Sequence, residues 1–336
     1  MLSLTKFISM RVYLDNAATT QIAPEVIDSM LLVLKENFGN PSSTHFYGRN
    51  AKALVETSRR SIAKQMNCLS SEIIFTSGGT EADNTVLQSA VLHGGCKVII
   101  TSPLEHHAVL HTAEAWAKLG LAELKLVRVN PDGSIDLAHL EELLSSSEKA
   151  IVSLMHGNNE IGNLLDLYAV GDLCEQYGAL FHSDTVQTMG HYKHDASALK
   201  VHFMVGAAHK FHGPKGIGFL YAKAGTKFSP LMHGGAQERN QRGGTENVYG
   251  MVGIAKALEL AYASMDEHEA YIKGLKVYFI EGLQKQFPGI SFNGASGDVE
   301  NSLYTVLNVR FPSVADGDML LFQLDIEKIS ASGGSA

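Results

Sequence analysis

A chain of 336 residues is too long for one small module, and its 45% hydrophobic content and 8 prolines exclude a disordered or fibrous protein. A net charge of −8 with no basic block argues against nucleic acid as a partner. No run reaches the roughly 18 apolar residues that cross a bilayer, and Met1–Met10 lacks the layout of an export signal.

The first dozen residues lead to a short strand at Arg11–Leu14 and a polar loop at Asp15. Helical patterns follow at Ala23–Glu36 and Ala51–Met66. Strands are then expected at Glu72–Thr76, Lys97–Thr101, Lys125–Val129, Ala150–Met155, Ala179–Ser183, Phe203–Val205 and Gly218–Tyr221. Between them the spacing predicts helices at Ala82–His93, Ala108–Leu119, Leu137–Leu144 and Asp166–Tyr177. This alternation is the mark of the α/β class: a mainly parallel, doubly wound sheet covered by helices, assigned here to residues 15–258. From Ala257 a long helical stretch reaches Gln286, followed by Pro288-Gly289 and β-like runs at Ser302–Arg310 and near Ile329. A smaller α+β domain made of residues 1–14 and 259–336 is expected. Ser332–Ala336 has loop composition, and the small domain looks incomplete there, so more chain is expected after it.

Cys68, Cys96 and Cys174 are odd in number and never form a C-x-x-C pair, so neither a disulfide framework nor a zinc knuckle is expected. A reducing cytoplasm fits. Each cysteine reads as an ordinary helix or strand residue. Fifteen histidines are many, and several stand beside Gly, Asp or Lys at strand ends, where ligands gather in open α/β sheets.

Ser77-Gly78-Gly79-Thr80-Glu81 lies between a strand and a helix. Its glycines let backbone N–H groups converge at a positive helix N-terminus, which suits a phosphate; an ordinary capped turn is the alternative. It is neither a P-loop nor a G-x-G-x-x-G motif. Lys210, in Ala207-Ala208-His209-Lys210, stands at a bend between two apolar runs where an amine can form a Schiff base. A pyridoxal-type cofactor needs that bond, a carboxylate for its ring nitrogen and a phosphate site. Asp184, ending Leu180-Phe181-His182-Ser183, is placed to be the carboxylate, whereas a lone loop lysine would be merely solvated. His106 could stack on a flat cofactor or simply begin a helix, and Asn158-Asn159-Glu160 and Gln187 follow strands where they could bond a ring hydroxyl. His107 and His111 could share a helix face, but no third ligand is evident and no metal is expected.

Seven segments together resemble the cysteine desulfurases, pyridoxal-phosphate enzymes of aminotransferase class V and fold type I. They are Tyr13-Leu14-Asp15-Asn16-Ala17-Ala18-Thr19-Thr20, Gly39-Asn40-Pro41-Ser42-Ser43, Thr76–Glu81, Glu105-His106-His107-Ala108-Val109, Asn158-Asn159-Glu160-Ile161-Gly162, His209-Lys210 with Gly213-Pro214-Lys215-Gly216, and Arg242-Gly243-Gly244-Thr245. The resemblance implies that Lys210 bonds pyridoxal 5'-phosphate, Asp184 pairs with the ring nitrogen, His106 stacks on the ring and assists proton transfer, and Gln187 contacts the ring hydroxyl. It also implies that Gly79, Thr80 and His209 hold the phosphate, that Thr245 reaches the partner's phosphate across a homodimer, and that Asn40 and Asn158 help bind L-cysteine. A sulfur-acceptor protein, serving iron–sulfur clusters or tRNA thiolation, is implied as a further partner. Two departures stand out. Ala207 replaces a serine common in the family, removing one phosphate contact, and the family's nucleophilic cysteine and carboxylate-binding arginine are not among these 336 residues, Ser332–Ala336 resembling the stretch that immediately precedes that cysteine. The alternatives are a selenocysteine lyase, an aminotransferase or other class V lyase, and a silent cofactor-binding scaffold if the chain truly stops at Ala336.

Overall fold

The computed structural model describes residues 10–312 and 319–334. The segment before Met10 and the final Ser335-Ala336, both part of the expected small domain, lie outside the described residues. In chain order the elements are β1 (Val12–Tyr13), α1 (Pro24–Glu36), α2 (Phe46–Gln65), β2 (Ile73–Thr76), α3 (Gly79–Leu92), β3 (Val98–Thr101), α4 (His107–Lys118), β4 (Glu123–Leu126), α5 (Leu137–Ser145), β5 (Ala150–Ser153) and α6 (Leu167–Gln176). They continue with β6 (Leu180–Ser183), β7 (Phe203–Ala207), β8 (Gly218–Ala222), α7 (Val248–Ala263), α8 (Met265–Gln286), β9 (Ser291–Phe292), β10 (Val309–Arg310), α9 (Leu320–Ile326) and β11 (Ile329–Ser330).

Seven strands form the central sheet in the order β2-β8-β7-β6-β5-β3-β4. Strands β7, β6, β5, β3 and β4 run parallel, and β8 is antiparallel to both of its neighbours. The inner strands are buried on both faces, which is why Val98-Ile99-Ile100 and Ala150-Ile151-Val152 read as unbroken apolar runs. The edge strand β4 reads Glu-Leu-Lys-Leu and is half exposed. It lies at 123–126 rather than 125–129, because the chain leaves the sheet edge at Val129, which bridges to Ile135. Two cores flank the sheet. One joins Val26, Val33, Ile62, Leu140, Val170 and Ile254 from α1, α2, α5, α6 and α7; the other joins Ala82, Val86, Val109 and Ala113 from α3 and α4.

The helical stretch expected from Ala257 is two helices, starting earlier, at Val248, and interrupted at Ser264. There the Ser264 hydroxyl bonds back to the Leu260 carbonyl, a competition with the helix ladder typical of serine. The expected strand over Ser302–Arg310 shrinks to β10, since Ser302 turns away to bridge Asn163. Strand β1 pairs in parallel with β11, Val12 opposite Ile329. No helix among the described residues is long and apolar enough to cross a membrane.

An unusual turn precedes α7. Glu238, Arg239 and Asn240 all have left-handed backbone, with φ of 45°, 58° and 66°. The turn is held by the buried Glu238 carboxylate, which takes Arg59 bidentately at 2.6 and 2.7 Å and the Phe75 N–H at 2.8 Å. Arg59 lies 4.9 Å over the Phe75 ring.

Burial also holds His156 and His191 neutral, pushing their protonation down from 6.5 to about 4, and that of His194 to about 3. The unfolded chain takes these protons near 6.5 and the folded chain does not, so stability is lost as pH falls from 6.5 towards 4, by up to about 3 kcal/mol per imidazole. The buried carboxyls of Asp83, Glu105 and Asp184 act in the opposite sense, since burial lets the folded chain keep protons that the unfolded chain releases near 4, so the two sets of groups offset one another between pH 5 and 7.5.

Candidate active site

Four loops at strand ends build the site. After β7 a single tight turn over 208–210 carries Lys210, whose amine donates to the carbonyls of Ala17 and Ala18. Burial lowers its proton affinity, against the opposing pull of Asp184 and Asp15. The amine is thus positioned by carbonyls alone, and burial makes its neutral, nucleophilic form more accessible. After β6 comes Asp184, buried, with Oδ1 accepting from the Val186 N–H at 2.8 Å. Burial and the nearby Asp83 raise its proton affinity, while the Val186 N–H, His106 and His182 oppose this. A cation placed against it would restore the carboxylate.

After β2, Gly78 has extended backbone and opens α3 without a side-chain cap. The first-turn N–H groups are left facing outward at the positive helix end. A Cβ on Gly79 would sit 2.8 Å from Val186 Cγ2, so only glycine lets the backbone come this close to the Asp184 loop. Glu81 in the same turn is drawn away by Arg242 at 2.9 Å and by the Ser77 N–H; burial raises its proton affinity, but these partners hold it below the usual carboxylate range. After β3, His106 caps α4, its Nδ1 accepting from the Ala108 N–H, which leaves the ring proton on Nε2.

The residues singled out by sequence divide. Gln187 shares Ala17 with Lys210, donating its amide to the same carbonyl at 3.0 Å. His209 meets Thr19 Oγ1 at 3.2 Å and is held neutral by burial and by Lys210 and Lys215, its protonation lowered to about 4. Thr80 is exposed in the first turn of α3. Asn158 is buried, and its carboxamide ties its own loop to the loop after β3, donating to Leu104 O and accepting from the N–H groups of Glu160 and Ile161. Asn40 closes its own turn by accepting from the Ser42 N–H. Thr245 lines a separate cavity of about 170 Å³ with Ser77 and Arg242. His107 and His111 stack at 4.5 Å, and no group of three metal-ligating side chains occurs among the described residues.

Cys68 and Cys96 lie in turns rather than in helix or strand, and Cys174 is in α6; burial pushes their thiols up to about 12, 11 and 12. None is a thiolate at neutral pH. Sequence reasoning singled out Tyr13–Thr20 only as a resembling segment and gave no role to the strap 17–20, which supplies carbonyls to Lys210 and is stitched to the 209–212 turn through Thr20. Its backbone contacts carry no residue signature. The buried polar groups Asp83, Glu105 and His182 were missed as well.

Residues 12–336 match the family described as Aminotransferase class-V. The chain belongs to the aminotransferase class-V family. It is 42% identical over 327 residues to the cysteine desulfurase IscS of Dictyoglomus turgidum, covering 97% of this chain and 82% of that relative. A solved NifS-like protein superimposes with a TM-score of 0.91 at 36% identity, covering 96% of this chain and 88% of the other. A structure titled SspA in complex with cysteine superimposes with a TM-score of 0.83 at 27% identity, covering 97% and 90%. The fold is that of the pyridoxal-phosphate enzymes of fold type I, and this class V member uses pyridoxal 5'-phosphate. Its residues suit that group: an amine without a carboxylate partner, a buried carboxylate with an oxygen to spare, and an uncapped, glycine-opened helix.

Proposed function

We propose that this chain is a pyridoxal-phosphate-dependent cysteine desulfurase that converts L-cysteine to L-alanine and passes the sulfur to a thiol acceptor. The balance is one cysteine and one thiol giving one alanine and one persulfide. The carrying observation is the convergence of Lys210, Asp184 and the uncapped start of α3 in a chain 42% identical to a cysteine desulfurase.

When bound, the cofactor supplies an electron sink for the substrate's Cα–H bond. Lys210 would hold it covalently, and its amine, positioned by the Ala17 and Ala18 carbonyls, would serve as the base for the substrate's Cα proton. Asp184 keeps the ring nitrogen protonated. The N–H groups of Gly79 and Thr80, with neutral His209, hold the phosphate, and Gln187 faces the ring hydroxyl. His106, with its Nε2–H fixed by the Ala108 bond, would hold the ring by stacking and assist proton transfer. Asn158 acts through the loop it braces, and Asn40 contributes to substrate binding. A homodimer is part of this reading, with Thr245 serving the partner's phosphate. The apolar side chains Leu31, Leu34 and Phe38, on and just after α1, are open to solvent in the single chain, Phe38 at 77% exposure, and support it. The reading places the enzyme in the cytoplasm, with a sulfur-acceptor protein for iron–sulfur clusters or tRNA thiolation.

The natural gene product, loaded with pyridoxal phosphate and given L-cysteine with a thiol reductant, is expected to release alanine and sulfide in equal amounts. Turnover that requires a keto acid and yields no sulfide would overturn the proposal in favour of an aminotransferase.

A further inference from the structure

Beneath the site lie two polar groups that the chemistry above does not use. Asp83 on α3 and His182 on β6 are 1% and 0% exposed. Asp83 Oδ1 and His182 Nε2 are 3.4 Å apart, and neither atom has a hydrogen-bond partner among the described residues. The other imidazole nitrogen, Nδ1, is 2.8 Å from Ser153 Oγ. His182 is two residues before Asp184 on the same strand end.

We propose that Asp83 and His182 share one proton and act as positioning residues that keep Asp184 the charged carboxylate of the site. The inference rests on the reading of Asp184 as the partner of the cofactor's ring nitrogen.

With no proton the pair is a buried anion, and with two it is a buried cation; each pays full desolvation without compensation. With one proton it is net neutral, whether the proton sits on the carboxyl or on the imidazole. It then also satisfies both orphaned atoms, since one becomes the donor and the other the acceptor. Burial favours holding that proton, pushing Asp83 up to about 8.

The surrounding charges make this neutrality matter. Asp83, Glu105 and Asp184 are all buried and within electrostatic reach of one another, and burial raises Glu105 well above the usual carboxylate range. Glu105 is anchored by the Met155 N–H on Oε1, while Oε2 has no hydrogen-bond partner. His106, His182 and Lys210 are the basic groups whose charge reaches Asp184. Three neighbouring carboxylates cannot all ionise. An ionised Asp83 would push the proton onto Asp184 and weaken its hold on a protonated ring nitrogen, whereas a proton-sharing Asp83–His182 pair leaves the one charge at Asp184.

The test begins on cofactor-free protein at pH 7, with ¹⁵N-histidine NMR assigned by His182→Gln and carboxyl infrared bands assigned by Asp83→Asn. The expected result is one proton in the pair: a protonated carboxyl with a neutral imidazole, or a carboxylate with an imidazolium. A carboxylate with a neutral imidazole, or a protonated carboxyl with an imidazolium, would overturn it. The second arm is equilibrium affinity for pyridoxal phosphate. His182→Gln replaces the proton acceptor with an amide that favours an ionised Asp83, and is expected to weaken binding about tenfold, one pK unit of coupling. Asp83→Asn, and Asp83→Asn combined with His182→Gln, keep the pocket neutral and are expected to stay within about twofold of wild type. Additive losses in the double variant would show a merely structural role. If wild-type protein failed to bind the cofactor, the functional reading would fail, while the first arm would still decide the state of the pair.

Discussion

Lys210→Ala is expected to give a folded protein that no longer holds the cofactor covalently and has lost cysteine turnover. Loss of a positioned base alone lowers turnover about 10²–10⁴-fold, and the covalent anchor is lost as well. The fold should survive. The amine makes two hydrogen bonds to carbonyls, worth about 1.5–3 kcal/mol each when it is charged but offset by the cost of burying it, and Ala17 keeps its bond from Gln187. The check is visible absorbance after dialysis with alanine release, beside an unchanged circular dichroism spectrum. Retained absorbance with normal turnover would remove Lys210 from its assigned role.

The second large effect is structural. Glu238→Ala would leave the Arg59 guanidinium buried with its bidentate partner gone and the Phe75 N–H unpaired. Breaking such a pair from one side costs about 3–5 kcal/mol. The same substitution frees three consecutive left-handed residues, none of them glycine. Asn240→Gly at the third of them is expected to stabilise the native protein by up to about 1 kcal/mol, because glycine carries no Cβ penalty at positive φ. Urea unfolding of the two variants separates pairing from backbone strain. A Glu238→Ala loss below about 1 kcal/mol would mean that the pair is not what holds the turn. Since Arg242 reaches Glu81 from the end of this turn, the start of α3 should loosen with it, which cofactor affinity would report.

The large sheet was legible because its inner strands are buried on both faces and its helices are amphipathic, so period and composition agree. Edges were less so: in β4 alternate charged residues erase the apolar run, and the register slipped by two residues. The break at Ser264 was hidden because a back-bonding serine looks like any other helix residue. Within the site, Lys210 and Asp184 announced themselves as charged groups at strand ends. Asp83 and His182 did not, since a carboxylate in a helix and a histidine in a strand carry no mark of burial until α3 is laid on β6. The strap 17–20 acts through carbonyls, which every residue possesses.

The pairing of β1 with β11 sets the order in which the molecule can be completed. It joins Val12 to Ile329, so closing it means bringing together points separated by nearly the whole described chain. Such a contact is formed late, after the sheet and its helices have paid for their own, more local closures. Yet the strap leading out of β1 is what gives Lys210 its carbonyl partners, and Ser332, just past β11, bonds Asp15 at the strap's beginning. With β1 undocked the strap would stay on the 209–212 turn at its Thr20 end but lose its hold at Asp15, so the two carbonyls that position the Lys210 amine would be fixed from one side only.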